Sequence, residues 1–317
     1  MKGQIRAVFW GVIVFGCFLL GGCSTTEVED REFPLMLTIT SEADFSREWL
    51  DSLEEGTKKI DYNHLKVVLI EQGFLEDDAA MSEMLSLLKK DKNVPLNAYV
   101  VTTGAAEELL TAGEALEMPL GTYLEALLER ADEVKKEAYP TLGMLYQEAE
   151  NHMETLFVPY VSLENEKPGI NGYEAYQRGS AAGRVETDTA LLSFFITNQL
   201  EKYVLQLGEN NYVELSEAKN RITFSNKREE SGRIKKQVMV EISCEGKILY
   251  QTHSEDIEES KQWLETQVTE YMTKEANQTL EKNIDVTNSM KKADVTAMGF
   301  YEEDIEIVFQ TKIKWTD

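Results

Sequence analysis

Hydrophobic positions along the chain fall into three spacings: an unbroken run, compact apolar strings, and repeats at every third or fourth residue. The run comes first. Ala7 to Gly22 is apolar or glycine throughout, after a start that carries Lys2 and Arg6. Its sixteen residues would reach about 24 Å as a helix, short of the roughly 30 Å hydrocarbon core of a bilayer. The run therefore suits the apolar region of a signal peptide better than a permanent span. From Phe33 the spacings alternate. Phe33–Thr40 predicts a first strand. Ser41 then caps a helix, with Asp44 in capping-box spacing and Phe45, Trp49 and Leu53 as the buried stripe. LKVVLIEQGF at 65–74 and NVPLNAYVVTTG at 93–104 predict strands. Helices are predicted near 77–89, where Met81, Met84, Leu85 and Leu88 share a face, and at 105–112, 120–131 and 142–154. Strands alternating with helices imply an α/β unit with parallel pairs.

Residues 164–172, ENEKPGING, combine charge, Pro168 and two glycines and read as a linker. Beyond them the pattern changes. YEAYQRGSAAGRVE predicts a hairpin turning at Arg178-Gly179, followed by a helix at Asp188–Leu200 and strands near 203–207, 211–215 and 221–225. KKQVMVEISCEGKILYQT predicts a second hairpin with Glu245-Gly246 at its turn. The strongest helix is 258–284, with Leu264, Val268, Met272, Ala276, Leu280 and Ile284 at every fourth position. In the final strand Ile305, Ile307, Phe309, Ile313 and Trp315 fall on one face. The expected fold is mixed α/β, or α+β overall. An N-terminal α/β domain (33–163) and the linker (164–172) precede a C-terminal α+β domain (173–317). The latter is a mainly antiparallel sheet under a long packing helix. A further split near residue 215 would raise the count from two domains to three.

The end of the apolar run carries the first chemistry. Leu20-Gly21-Gly22-Cys23 reads as a lipobox: a branched apolar residue, two small residues that let an extended backbone enter a peptidase cleft, then the cysteine to be modified. Cleavage between Gly22 and Cys23 makes 1–22 a lipoprotein signal peptide and 23–32 a hydrophilic tether. The thiol becomes a thioether to diacylglycerol, whose two acyl chains give stable anchoring where a single chain gives marginal binding. Cys17 competes poorly, since bulky Phe15 stands two residues before it. The plainer readings are an ordinary signal peptide with an incidental cysteine, or a short uncleaved anchor.

Charge narrows the partners. The chain holds 32 basic and 57 acidic residues, net −25. Nucleic-acid binding, which depends on neutralising phosphates with Lys and Arg, is disfavoured. So is lying flat on anionic lipid, and the folded part is expected to stand off the bilayer. Apolar residues at 42% suffice for a core. After cleavage Cys23 and Cys244 are the remaining cysteines, so a lipidated Cys23 leaves no intramolecular disulfide. Cys244 continues the period of Val238, Val240 and Ile242 and is read as a small core hydrophobe.

Catalytic signatures are absent from the sequence. His64, His152 and His253 lack metal-ligand spacing. His253-Ser254-Glu255 is triad-like in composition only, because consecutive strand residues point to opposite faces. Thr102-Thr103-Gly104 has one glycine and no following lysine, and Glu107 and Glu108 would repel an anion there, so a plain helix start is expected. Glu76-Asp77-Asp78 and Glu255-Asp256 lack calcium-loop spacing and read as helix starts. Catalytic residues, metal ligands and cofactors are thus expected to be none, apart from the covalent diacylglycerol on Cys23.

In order along the chain, several stretches resemble the Ger(x)C family, the lipoprotein C subunits of spore nutrient germinant receptors. They are LGGC at 20–23, HLKVVLIEQGFL at 64–75, NVPLNAYVVTTGAAEELL at 93–110, GTYLEALLE at 121–129 and INGYEAYQRGSAAGRVETDTALL at 170–192. NSMKKADVTAMGFYEED at 288–304 matches the family's passage through Asp294 and Gly299. Ser24-Thr25 stands where the family usually has Trp-Asp, and the usual Gly-Ile-Asp after the first strand is missing. The resemblance implies a divergent, non-catalytic subunit tethered on the extracytoplasmic face of the spore inner membrane. It would act with an integral-membrane A subunit and a transporter-like B subunit in nutrient-triggered germination. The competing reading is a solute-binding lipoprotein of an importer, which the change of pattern at mid-chain disfavours because such proteins have two similar lobes.

Overall fold

The computed structural model of the 317-residue chain describes residues 31–40, 59–90, 92–130, 134–152, 154–228, 234–254, 256–289 and 305–316. The Ser41-capped helix and its Phe45, Trp49 and Leu53 lie outside them. Arg31–Glu32 (β1) pairs in parallel with Lys59–Ile60 (β3), so the expected tether 23–32 already enters the fold at Arg31.

A six-stranded sheet follows. Met36–Ile39 (β2), Val67–Glu71 (β4), Tyr99–Thr103 (β5) and Leu156–Glu164 (β6) run parallel, and Lys167–Gln177 (β7) and Ser180–Val185 (β8) extend it antiparallel, in the order β2-β4-β5-β6-β7-β8. Val67, Val68, Leu69 and Ile70 are all fully buried, which explains their continuous apolar run: helices cover both faces. On one face, Asp78–Lys90 (α2), preceded by the single turn Gln72–Leu75 (α1), packs Met81, Met84, Leu85 and Leu88 against Val68, Ile70 and Val100. On the other, Leu109 of Ala106–Glu114 (α3) and Leu124 and Leu128 of Leu120–Glu129 (α4) meet Val67, Leu69 and Val101. Leu142–Asn151 (α5) joins the α2 side through Leu142 and Leu145; Thr141 caps it by accepting from the Met144 amide.

The architecture changes at Thr187–Ile196 (α6), which is buried on nearly every side. Phe194 sets its ring edge-on against Tyr139, Phe157 and Tyr173, at centroid distances of 6.5, 6.0 and 5.6 Å, on the first sheet's side. The next residue, Phe195, tilts over Tyr203 at 5.4 Å on the second. One continuous apolar core therefore runs through both halves.

The second sheet contains Lys202–Gln206 (β9), Tyr212–Arg228 (β10), Ile234–Tyr250 (β11) and Ile305–Thr316 (β12), in the order β12-β11-β10-β9. It is antiparallel except for the parallel β11–β12 pair. Ile257–Glu281 (α7) lies along it, capped by Asp256, burying Leu264, Val268, Met272 and Ala276 as the fourfold repeat predicts. A polar stripe on the same helix closes the β12 edge. Asn277 Oδ1 accepts from Ile307 N (2.9 Å), Thr273 Oγ1 from Phe309 N (3.2 Å) and Glu265 Oε1 from Ile313 N (3.4 Å), while Thr269 and Thr311 share a hydroxyl bond. Four helical residues advance about 6.0 Å and two strand residues about 6.6 Å, so the two ladders keep step.

Three expectations need correction. Residues 164–172 are not a linker: they form the tight β6–β7 reversal at Asn165-Glu166 and the start of β7. Pro168 lies near the strand's beginning, and Gly172 (φ 108°) sits in a bulge where Ile170–Tyr173 opposes Pro159–Val161, so both mark strand irregularities. No division falls near 215, because Leu215 is fully buried in β10, which runs unbroken past a bulge at Ser216–Lys219. The boundary between sheets is instead α6. Lastly, Glu245-Gly246 is no turn but mid-strand in β11. Gly246 pairs with Leu215 and Trp315, and a Cβ there would clash with Ile313 and lie 3.1 Å from the Trp315 ring. The hairpin at Arg178-Gly179, with φ of 55° and 88°, is as predicted.

Candidate functional site

Leu20, Gly21, Gly22 and Cys23 lie outside the described residues. The first described residue in the fold is Arg31, which pairs with Lys59 and stands eight residues beyond Cys23. Fully extended, that segment spans at most roughly 27 Å.

Within the body, a buried acid stands near the carboxyl ends of the parallel strands. β7 places Glu174 beside Val158 on one side and Arg184 on the other, on the face packed by α1 and α2. Glu174 is fully buried, and among the described residues neither carboxylate oxygen has a hydrogen-bond partner. Burial pushes its carboxyl up to about 7, and the nearby Glu76 charge adds to the rise; Arg184 and the Gly183 amide pull back without reversing it. The Arg184 guanidinium lies 3.7 Å over the Tyr160 ring and donates to Asn171 O at 2.5 Å, so it is held rather than turned onto the acid. Thr102 Oγ1, buried on β5 beside Tyr160, also lacks a partner among the described residues. Sequence reading missed Glu174 because the alternation Tyr173-Glu174-Ala175 looks like a half-exposed strand. The available signal was Tyr176, two residues on, which marks the same face as buried.

A second feature is a cavity of about 710 Å³ where β6, α6, β10 and residues 287–288 meet. Phe157 and Phe194 form its apolar wall. Its polar groups largely satisfy one another: Asn288 Oδ1 accepts from Thr155 N (2.7 Å), Thr155 Oγ1 donates to Gln177 Oε1 (3.0 Å), and Asp285 Oδ1 accepts from Thr287 N (3.0 Å) and Thr287 Oγ1 (2.6 Å). These bonds tie the segment after α7 to the first sheet.

The remaining sequence motifs serve structure. Gly104 N donates to Tyr160 OH (3.1 Å) and Ala105 N to Thr103 Oγ1 (3.2 Å), so the Thr102–Gly104 turn is internally capped. Asp77 Oδ1 accepts from the amides of Ala79 and Ala80, and Asp256 Oδ1 from those of Glu258 and Glu259; both acidic runs are helix caps. His253 stacks on Trp263 at 4.3 Å while Ser254 Oγ donates to Glu259, so the two do not form a nucleophile and base. Glu255 lies outside the described residues. Burial pushes the Cys244 thiol up to about 12, with the Glu265 charge assisting, and removes it from thiolate chemistry. Among the described residues no helix is long and apolar enough to cross a membrane.

Comparison with known proteins connects these features. Residues 26–163 match the family model of the spore germination protein N-terminal domain. The crystal structure of the GerBC protein superposes with a TM-score of 0.55 over 80% of this chain and 79% of that one, at 13% identity, which is a likeness of fold. No curated protein sequence matches. The matched domain takes in the parallel part of the first sheet and its covering helices, and the likeness of fold to the GerBC protein extends into the second sheet: residues 26–163 are similar to the N-terminal domain of spore germination proteins, and the chain as a whole shares the fold of one of them.

Proposed function

We propose that the chain is the lipid-anchored, non-catalytic C subunit of a spore nutrient germinant receptor, acting with integral-membrane A and B subunits. The observation that carries this reading is an adjacency. The germination domain begins at residue 26, three residues after the cysteine of a complete lipobox. Signal peptidase cleavage after Gly22 would free Cys23, and the diacylglycerol thioether would hold the body at the extracytoplasmic face of the spore inner membrane. The short segment to Arg31 keeps the first sheet within about a headgroup-to-domain distance of the bilayer. Among the described residues Asp77, Asp256 and the Thr102–Gly104 turn are engaged in helix caps and turn bonds, which is compatible with a role in assembly.

Cys23→Ala is expected to move the protein from the carbonate-washed membrane pellet to the soluble fraction with its fold intact. Retention of the variant on membranes would make the apolar run a standing anchor. Affinity capture from detergent-solubilised dormant-spore membranes is expected to bring down two polytopic receptor subunits. Recovery with an importer's permease from growing cells would overturn the receptor reading in favour of solute binding.

A further inference from the structure

The cavity of about 710 Å³ where the two sheets meet is lined in part by polar groups that the fold itself does not use. α6 ends at Ile196, and Asn198, a residue type that tolerates a left-handed backbone, turns the chain at φ 60°. That turn brings Asn198 and Gln199 to the cavity wall, together with Ser193 from the last turn of α6. Ser193 is 1% exposed, and its hydroxyl has no hydrogen-bond partner among the described residues; the Asn198 amide and one end of the Gln199 amide have none either. A buried hydroxyl is costly unless it is paired. This one faces a space within the roughly 300–1,000 Å³ range of ligand sites, at the kind of junction where such sites recur. The lining also sets the charge of what fits. Lys219 is exposed and pairs with exposed Ser243, alternating along β10 with Asn220, whose Nδ2 donates to Ile196 O, and Glu154 is only half-buried. The rest of the polar lining is neutral amide and hydroxyl, so an ion inside would go unpaired. Phe157 and Phe194 supply the apolar wall.

We propose that this cavity binds a small uncharged polyhydroxyl molecule, a monosaccharide or a cyclitol. Such a ring carries C–H groups on its faces and hydroxyls around its rim. The C–H groups meet Phe157 and Phe194, and the hydroxyls pair with Ser193, Asn198 and Gln199. Hydroxyls and amides both donate and accept, so a ligand hydroxyl matches them in either sense, whereas an ammonium only donates and a carboxylate only accepts. β6 belongs to the first sheet and β10 to the second, so a bound ring bears on both halves of the molecule. The inference does not rest on the anchored reading above.

The test is calorimetric titration of the full chain, held in a sugar-free detergent, with myo-inositol, with D-glucose and, as a zwitterion of similar size, with L-glutamine. Saturable binding of at least one polyol is expected, with a raised melting temperature and slowed amide exchange at 193–199 and 287–288. Ser193→Ala should weaken that binding about tenfold, the worth of one hydrogen bond. The same substitution removes an unpaired buried hydroxyl, so the unliganded variant should melt no lower than the parent chain. Failure of both polyols to bind overturns the proposal. So does tighter binding of glutamine, which would make this a site for charged groups. Polyol binding that Ser193→Ala leaves unchanged overturns it as well, by placing the ligand outside this cavity.

Discussion

Glu174 sets the protein's most individual residue-scale property. Its folded-state carboxyl titrates near 7 against an ordinary value of 4.5, a raised acid, so the sign is clear. Below pH 4.5 both states are protonated and the group carries no ionisation cost. Between 4.5 and about 7 the unfolded chain ionises first, and stability falls by about 1.4 kcal/mol per pH unit, to a total of about 3.5 kcal/mol. Glu174→Gln is therefore expected to raise the melting temperature at pH 8 and change it little at pH 4, measured by calorimetry at both values. Equal shifts at both pH values would show that the side chain's shape, not its charge, matters. This residue was illegible because burial on both faces of a strand is a property of the neighbours. Asp77 and Asp256 were legible because a cap is decided within three residues.

Elements were readable where a single repeat determines them. Val67–Ile70 declared a strand buried on both faces, and the fourfold apolar stripe of α7 declared its packing side. The second hairpin was misread because Glu245-Gly246 looks like a turn locally, whereas the glycine is required by Trp315 and Ile313, some seventy residues away. The polar stripe Glu265-Thr269-Thr273-Asn277 also went unread, since its meaning depends on the strand beside it. Asn277 makes two bonds to the Ile307 backbone, donating to its carbonyl at 2.6 Å and accepting from its amide at 2.9 Å. Asn277→Ala should cost about 1–3 kcal/mol by leaving those groups unpaired. It should speed amide exchange in β12 before any other strand, and unchanged β12 exchange would deny the stripe its role.

At the scale of the whole molecule, the sequence suggested two units joined by a linker, and the structure shows two sheets sharing one core through α6. Phe194 and Phe195 face opposite partners, so a defect at either should be felt in both halves. Phe194→Ala is expected to lower stability by about 3–5 kcal/mol. Unfolding should remain one transition by circular dichroism and by tryptophan fluorescence; separation of the two would reveal independent units. The change of sheet type along the chain was legible, but its location was not, because Pro168 and Gly172 advertise a break that a strand bulge absorbs. The closed edge of β12 has a further consequence, which is arithmetic. Helix and strand differ by about 0.6 Å at each matched step. The contacts nonetheless do not drift in one direction: they run 2.9 Å at Asn277, 3.2 Å at Thr273, 2.5 Å at Thr269 and 3.4 Å at Glu265. Like a vernier read over only four marks, the two scales stay within reach of each other, and side chains of different length take up what offset there is.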